Sequence, residues 1–452
     1  MEMAAEDEAP LLGEPAVGAE AQDGREGSKD GFNGYLIFCV FVAVFGGTFQ
    51  FGYNTGVVNS PEDVIRHALA DCDSSKRDCS DAALSDAFWS AVVAMFAVGG
   101  LFGALAAGAV VQHLGIRKTY LVNNLLLVAA ALLMALARSA SVLIIGRLVV
   151  GIAGGVTTVI TPMYISDISP LAVRGTLGVM TQLAITLGIL IAQCLGLGSV
   201  LGNSAGWRYL LALPIVPAVL QTILLFWTPE SPAISVAHKQ IEQATGTLRR
   251  LRRRQAVEDE IAVLQEEVNR NAQATQQLTG INAIFYFSAG IFETAGLSNG
   301  DSATIVVGAV NVVMTIVASQ LMDRLGRRVL LGSGLLGMVI GFVLLTVALA
   351  VKASVSALAL IGVALVVVAF ALGPGAIPWL MIPELFASDK VAAAAAICVA
   401  ANWLFNFIVG MTFQPLQSAM GEYVFLVFVV LAALGVGFTA TAVPETRGKK
   451  AA

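Results

Sequence analysis

The chain has 452 residues, of which 57% are apolar and only 13% charged, with a mean hydropathy of +0.80. An ordinary soluble domain carries about 25% charged residues, so this composition cannot cover a water-facing surface and excludes a soluble globular enzyme. The net charge of −5 gives no basis for nucleic acid binding, and what remains is an integral membrane protein long enough for twelve helical spans of about 20 residues.

Residues 1 to 30 are acidic, small and Pro/Gly-containing, without the basic start and short apolar core of a cleaved signal peptide, and are expected to form a disordered cytosolic tail. Within it Asp7-Glu8-Ala9-Pro10-Leu11-Leu12 resembles the acidic dileucine signals that adaptor complexes read, which makes an adaptor complex a candidate partner at Leu11-Leu12. Apolar segments then run over 34 to 58, 86 to 111, 119 to 137, 141 to 164, 175 to 199 and 208 to 228. After a polar stretch they resume over 278 to 297, 303 to 322, 328 to 350, 355 to 382, 391 to 413 and 422 to 443. The predicted fold class is all-α, with twelve transmembrane helices in two six-helix repeats. Its parts are a tail (1–30), an N-terminal six-helix bundle (31–228), a cytosolic helical linker (229–277), a C-terminal six-helix bundle (278–443) and a short cytosolic tail (444–452).

Nineteen of the 26 Lys and Arg residues fall on one side of these spans, which orients both termini to the cytosol. Cys39, Cys194 and Cys398 lie in apolar runs as packing residues, whereas Cys72 and Cys79 share a polar loop on the other side, as a disulfide or as two free thiols. The linker carries an Arg-rich run from 249 to 254 followed by Glu258, Glu260, Glu266 and Glu267, a pattern of short charge-paired helices on the cytosolic face. The two halves echo one another: Arg117 recurs at Arg328, Pro162-Met-Tyr-Ile-Ser-Asp167 at Pro378-Trp-Leu-Met-Ile-Pro-Glu384, and Pro229-Glu-Ser at Pro444-Glu-Thr, at offsets of 211 to 216 residues.

Several motifs carry a specific resemblance: Gln50-Phe-Gly-Tyr-Asn-Thr-Gly56, Gly146-Arg147, Pro229-Glu-Ser-Pro232, Gln276-Gln-Leu-Thr-Gly-Ile-Asn282, Asp323 to Arg328, Gly373-Pro-Gly-Ala-Ile-Pro-Trp379, Asn402-Trp403 and Pro444-Glu-Thr-Arg-Gly448. In this order they resemble the sugar porter family of the major facilitator superfamily, and within it the facilitative hexose transporters. The resemblance implies transport of a hexose such as glucose by alternating access, with a small-molecule sugar and the lipid bilayer as partners. It also implies that Gln182, Gln276, Gln277, Asn282, Asn311, Trp379 and Asn402 contact the sugar. A hexose needs neutral donors and acceptors plus an aromatic plane, and buried amides supply both roles without burying a charge. Gln182 and Gln193, about three helical turns apart, share one face of the fifth span, and Asn402 and Asn406 share a face of the eleventh.

Gly280, Gly373, Pro374, Gly375 and Pro378 are placed to break helices for gating. By the same resemblance Asp167, Arg174, Glu230, Asp323, Arg324, Arg327, Arg328, Glu384, Glu445 and Arg447 latch the two halves at the cytosolic end. Proton-coupled members usually have Asp where this chain has Asn54, so Arg147 lacks a switching partner and passive uniport is expected, with a proton-coupled hexose or polyol symporter as the alternative. No Cys/His spacing suits zinc and no Gly-rich loop follows a strand, so neither metal nor cofactor nor catalytic site is expected.

The sequence departs from the family in several places. Gln112-His-Leu-Gly-Ile-Arg117 is a worn copy of the loop motif, Ala233 stands where Arg is usual, Asp167 stands for Glu, and Ala371 occupies a position that is often Glu. The residues before Gln276, Gln265-Glu-Glu-Val-Asn-Arg-Asn-Ala-Gln-Ala-Thr275, are too polar for hydrocarbon, so the seventh span is shortened. Impaired transport is therefore expected of this chain, with a non-transporting sugar sensor or an inactive splice form as a further alternative. The plasma membrane is the expected location, with an endosomal, lysosomal or vacuolar membrane second.

Overall fold

The computed structural model describes residues 32–70, 84–170, 173–252, 300–351, 356–385 and 388–445. The acidic dileucine, Cys72, Cys79 and the shortened seventh span lie outside the described residues. Within them every regular element is a helix: α1 (Gly34–Gly46), α2 (Thr48–Gly56), α3 (Glu62–Ala68), α4 (Asp86–Leu114), α5 (Ile116–Ala135), α6 (Ala140–Ile168), α7 (Arg174–Leu195), α8 (Trp207–Ala212), α9 (Ile215–Leu224), α10 (Pro232–Ala237) and α11 (Ile241–Arg252). After the linker come α12 (Gly300–Leu325), α13 (Arg327–Val351), α14 (Ser356–Leu372), α15 (Ile377–Leu385), α16 (Ser388–Met420) and α17 (Leu426–Ala442). Among the described residues ten helical stretches are long and apolar enough to cross a membrane, and an eleventh is counted if Pro415–Tyr423 and Leu426–Ala442, bent by 84°, are taken as one broken span. Large apolar side chains such as Phe41, Phe102, Leu125, Val347, Ile361 and Leu434 point outward, as lipid as solvent requires.

Three expected single spans are each two helices. The first breaks at Gly47, the sixth at Leu213-Pro214, and the tenth at Gly373 to Ala376. The ends of others also move. The third span begins at Ile116 rather than 119, because a carboxylate described below caps that terminus. The eleventh continues to Met420 through Pro415, although the apolar run ends near Phe413. One lost backbone bond near the end of a long helix is tolerated when packing holds both sides.

Small residues set the closest helix crossings. Gly99 and Gly103 on α4 meet Gly151 and Gly155 on α6, each pair four residues apart and so on one face. A methyl at Gly99 would lie 2.8 Å from Ile152 N, and one at Gly155 2.7 Å from Ala104 N. The same α4 also packs along α16 of the other half, and α7 packs along α12, so these two pairs join the halves.

On the outer side, the short α3 is fixed by Arg66, whose Nε and Nη2 donate to Leu84 O at 3.1 and 2.7 Å while Nη1 pairs with Glu62 at 3.2 Å. Burial lifts the Glu62 carboxyl above its ordinary value, with the Arg66 bond acting against it. On the Arg-rich side, which the positive-inside bias assigns to the cytosol, α11 docks beneath the first half. Arg250 lies over the Tyr35 ring at 4.2 Å, Asn33 Nδ2 donates to Leu251 O at 2.5 Å, and Arg252 Nη1 donates to Ile168 O at 2.7 Å.

Replacing Gly155 by Leu should separate α4 from α6 and lower stability by about 1–3 kcal/mol or more. Thermal denaturation of the detergent-solubilised protein measures this, with Gly198→Ala, at a site open on all sides, as the neutral control.

Candidate functional site

Four of the seven residues expected to contact sugar are described, and all are deeply buried: Gln182 on α7, Asn311 on α12, Trp379 on α15 and Asn402 on α16. Gln276, Gln277 and Asn282 lie outside the described residues. The helices that carry the four meet at the junction of the halves. At its outer end Gln193 Oε1 sits against Gly308 of α12, where a methyl would approach it to 2.6 Å. At its inner end Val179 of α7 shares one apolar cluster with Met322 of α12 and with Ile377, Leu380 and Met381 of α15. Asn406 Nδ2 donates to Asn402 Oδ1 at 3.0 Å and to Asn402 O at 3.1 Å, so these two amides share a face as their spacing requires. Gln193 Oε1, Asn311 Oδ1 and Asn406 Oδ1 are buried with no hydrogen-bond partner among the described residues. Each such atom costs about 1–3 kcal/mol unless something fills it. The interior of this junction therefore presents neutral acceptors.

Beside the amides stands Trp403, which the sequence reading had noted only as part of a motif. Its indole is buried in the other half, edge-on to Phe51 at 5.1 Å and to Phe96 at 5.2 Å. Its Nε1 donates to Thr158 Oγ1 at 3.3 Å. Gly100 of α4 leaves the space, since a methyl there would overlap the indole. The only sequence signal for this wedge was a Trp midway along a span in a chain that has a glycine at the facing position.

Phe96 also carries the buried cation. Arg147 lies 4.5 Å over its ring, with Nη1 donating to Asn54 O at 2.7 Å and Nε to Val92 O at 3.2 Å. Backbone carbonyls and a ring face thus receive the guanidinium, and Asn54 contributes its carbonyl together with a neutral side chain. Among the described residues every carboxylate sits in a loop or within a few residues of a helix end.

The charged residues of the cytosolic end form two copies of one device. Glu230 Oε1 accepts from Ile116 N at 2.9 Å, and its Oε2 accepts from Arg117 N at 3.2 Å, capping α5. Glu445 Oε1 accepts from Arg327 N at 2.9 Å, and its Oε2 from Arg328 N at 3.1 Å, capping α13. Each acid reaches the helix because the preceding residue, Gly115 (φ +80°) or Gly326 (φ +87°), takes a left-handed turn that L side chains rarely adopt. The matching arginines continue the symmetry: Arg117 Nη2 donates to Phe226 O at 3.5 Å, and Arg328 Nη2 donates to Ala440 O. Ile116 stands where Arg327 stands in the second copy, yet the cap persists because the donors are backbone N–H groups. These bonds place Glu230 and Glu445 as helix caps inside their own halves.

Asp167, shorter than the usual Glu, still accepts from Ser231 Oγ at 2.5 Å, and Tyr164 OH donates to Pro229 O at 2.9 Å. Arg174 begins α7, Asp323 and Arg324 lie in the last turns of α12, and Glu384 lies near the end of α15. Pro374 occupies the turn between α14 and α15, with its ring against Gly334, and Pro378 is the second residue of α15. Arg447 lies outside the described residues. Ala371 is fully buried.

Removing one cap by Glu445→Ala should cost about 0.5–2 kcal/mol, and Glu230→Ala a similar amount. Equal falls in thermal stability would support a repeated capping role, whereas no change in either variant would refute it.

A family model described as "Sugar (and other) transporter" matches residues 39–451. Facilitated glucose transporter member 3 of solute carrier family 2 from Mus musculus is 39% identical over 448 residues, covering 92% of this chain and 91% of that protein. Member 4 from the same species is 40% identical over 465 residues, covering 94% and 91%. Among solved structures, the proton:xylose symporter XylE bound to 6-bromo-6-deoxy-D-glucose matches with a TM-score of 0.81 and 26% identity, over 92% of this chain and 97% of that one. Inward-open XylE from E. coli matches with a TM-score of 0.74 and 27% identity, over 92% and 98%. The relatives are carriers rather than enzymes. This chain is a multi-pass membrane protein with the major facilitator fold, and it belongs to the sugar porter family, resembling the facilitative glucose transporters.

Proposed function

We propose that the chain is a passive uniporter for a hexose such as glucose, working by alternating access between the bundles 31–228 and 278–443. The observation that carries this reading is the neutral interior: buried amides with unfilled acceptors, and an Arg147 held by carbonyls and a ring. Gln182, Asn311, Trp379 and Asn402 bind the sugar together with Gln276, Gln277 and Asn282. Amides exchange hydrogen bonds with hydroxyls, and the Trp379 ring covers the apolar C–H face. Pro374 and Pro378 give α15 its freedom to swing against α14. The charged residues Asp167, Arg174, Asp323, Arg324, Arg327, Arg328, Glu384 and Arg447 close the cytosolic end across the halves when the carrier opens outward, while Glu230 and Glu445 keep the ends of α5 and α13 rigid. The carrier works in the plasma membrane, and the Leu11-Leu12 segment lets an adaptor complex draw part of it into endosomes.

The names of the relatives favour this reading over proton coupling: the glucose carriers of Mus musculus are described as facilitated, whereas XylE is described as a proton symporter. A proton-coupled carrier needs a carboxylate inside the membrane whose charge changes during the cycle. Asn54 cannot serve.

Labelled-glucose counterflow in proteoliposomes without any ion gradient tests the proposal. Saturable exchange is expected, reduced at least about tenfold, a loss of about 1.4 kcal/mol, by Asn402→Leu. Sugar binding without exchange would instead identify a sensor or an inactive form, and inward proton movement with sugar would identify a symporter. The Asn54→Asp variant sets a carboxylate beside Arg147, and its exchange should become pH-dependent where that of the natural chain is flat between pH 5.5 and 8, roughly the range in which a buried acid can titrate.

A further inference from the structure

The first span breaks at Gly47, whose backbone (φ −101°, ψ −96°) fits no helix, and no side chain caps the start of α2. The sixth span breaks opposite it, and the two are stitched together by side chains. Gln50 Nε2 donates to Pro214 O at 2.7 Å, Tyr53 OH to Leu210 O at 2.8 Å, and Gln221 Nε2 to Val42 O at 2.8 Å. The glycines of the break are closely walled. A methyl at Gly46 would overlap the Gln221 side chain, and one at Gly47 would lie 2.5 Å from Thr161 Oγ1 and 3.6 Å from the Tyr120 ring. Tyr120 OH donates to Thr161 Oγ1 at 2.8 Å, closing that side. One helical turn further along α5, Asn124 Nδ2 donates to Thr222 Oγ1 at 3.0 Å, closing the side toward α9.

Inside this wall several polar atoms are left over. Thr48 Oγ1, both side-chain polar atoms of Asn123, Asn124 Oδ1 and Gln221 Oε1 are buried with no hydrogen-bond partner among the described residues. Their residues are between 0% and 2% exposed, and they belong to neighbouring turns of α2, α5 and α9 around the break. So many orphaned polar atoms on the helices around one break are far outside ordinary protein practice. The side chains that form this wall among the described residues, Gln50, Tyr53, Tyr120, Asn124, Thr161, Gln221 and Thr222, are all neutral, so a neutral ligand suits it. The ligand must both donate and accept, because Asn123 offers an unfilled donor beside its unfilled acceptor.

We propose that the N-terminal half holds a second polar site, distinct from the sugar site, which binds one or two buried water molecules against the break in the first span. A buried water makes two to four bonds, and the orphaned atoms are enough for about two waters. The water supplies partners to these side-chain groups, so the outer piece α2 can tilt relative to α1 without stranding them in hydrocarbon. The sugar residues lie instead where α7, α12, α15 and α16 meet, so loss of one site need not empty the other.

The test is a structure of the full chain in lipid nanodiscs, at a resolution that reveals ordered waters elsewhere, combined with thermal denaturation of Asn123→Leu. The proposal expects water density within hydrogen-bond distance of Asn123 and Gln221. It also expects Asn123→Leu to expel that water and lower Tm by several degrees, since the remaining polar atoms lose their partner. Absence of density there while waters are visible elsewhere would overturn it. So would a higher Tm in Asn123→Leu, because removing orphaned atoms from a dry site stabilises. If the variant fails to fold, the density in the natural chain decides alone.

Discussion

Every backbone N–H and C=O in the hydrocarbon must find a partner inside the protein, and that requirement shapes this molecule more than any single contact. Straight helices meet it automatically. Carriers of this fold also need helices that bend, and each bend strands polar groups. In the first half the bends come in a facing pair, and the side chains of Gln50, Tyr53 and Gln221 supply bonds across them. In the second half the turn at Gly373 to Ala376 is met differently: Gly375 N donates back to Phe370 O at 2.8 Å, and α13 comes close at Gly334.

The junction of the halves follows from the same economy of polar groups combined with close packing. Glycines on α4 let it serve two neighbours, with α6 on one side and α16 on the other. Gly99 and Gly103 approach α6, while Gly100, one residue round the helix, admits Trp403 from the opposite half. Trp403 then touches the ring that shields Arg147, so the buried cation, the helix crossing and the amide-lined interior form one continuous assembly. An indole suits this position because its body is apolar while its N–H still reaches Thr158.

At the cytosolic end the internal repeat is chemical as well as topological. Glu230 and Glu445 fill the same role at the same kind of glycine turn, and they withstand divergence of the neighbouring side chains because they bind backbone. The loop motif around Ile116 is worn, yet the Glu230 contacts there are intact, since a motif read as letters does not distinguish a side chain that bonds from one that only accompanies a bonding backbone.

By itself the sequence determined the membrane class, the spans of the described halves to within a few residues, the repeat, the family and the buried amide set, because hydrocarbon imposes length and polarity on each span and because Gln, Asn and Trp are conspicuous there. Gln182, Asn311, Trp379 and Asn402 were picked out by the family resemblance, and their burial is what the structure adds. Only the tertiary structure decided which helices break and what fills the breaks, since a glycine or proline permits a bend but the neighbouring helix must supply the bond that makes it tolerable. It also decided that Glu230 and Glu445 cap helices of their own halves and that Trp403 bridges the halves. The partners of these residues lie far off in the sequence, and their meeting is set by packing that no local pattern encodes.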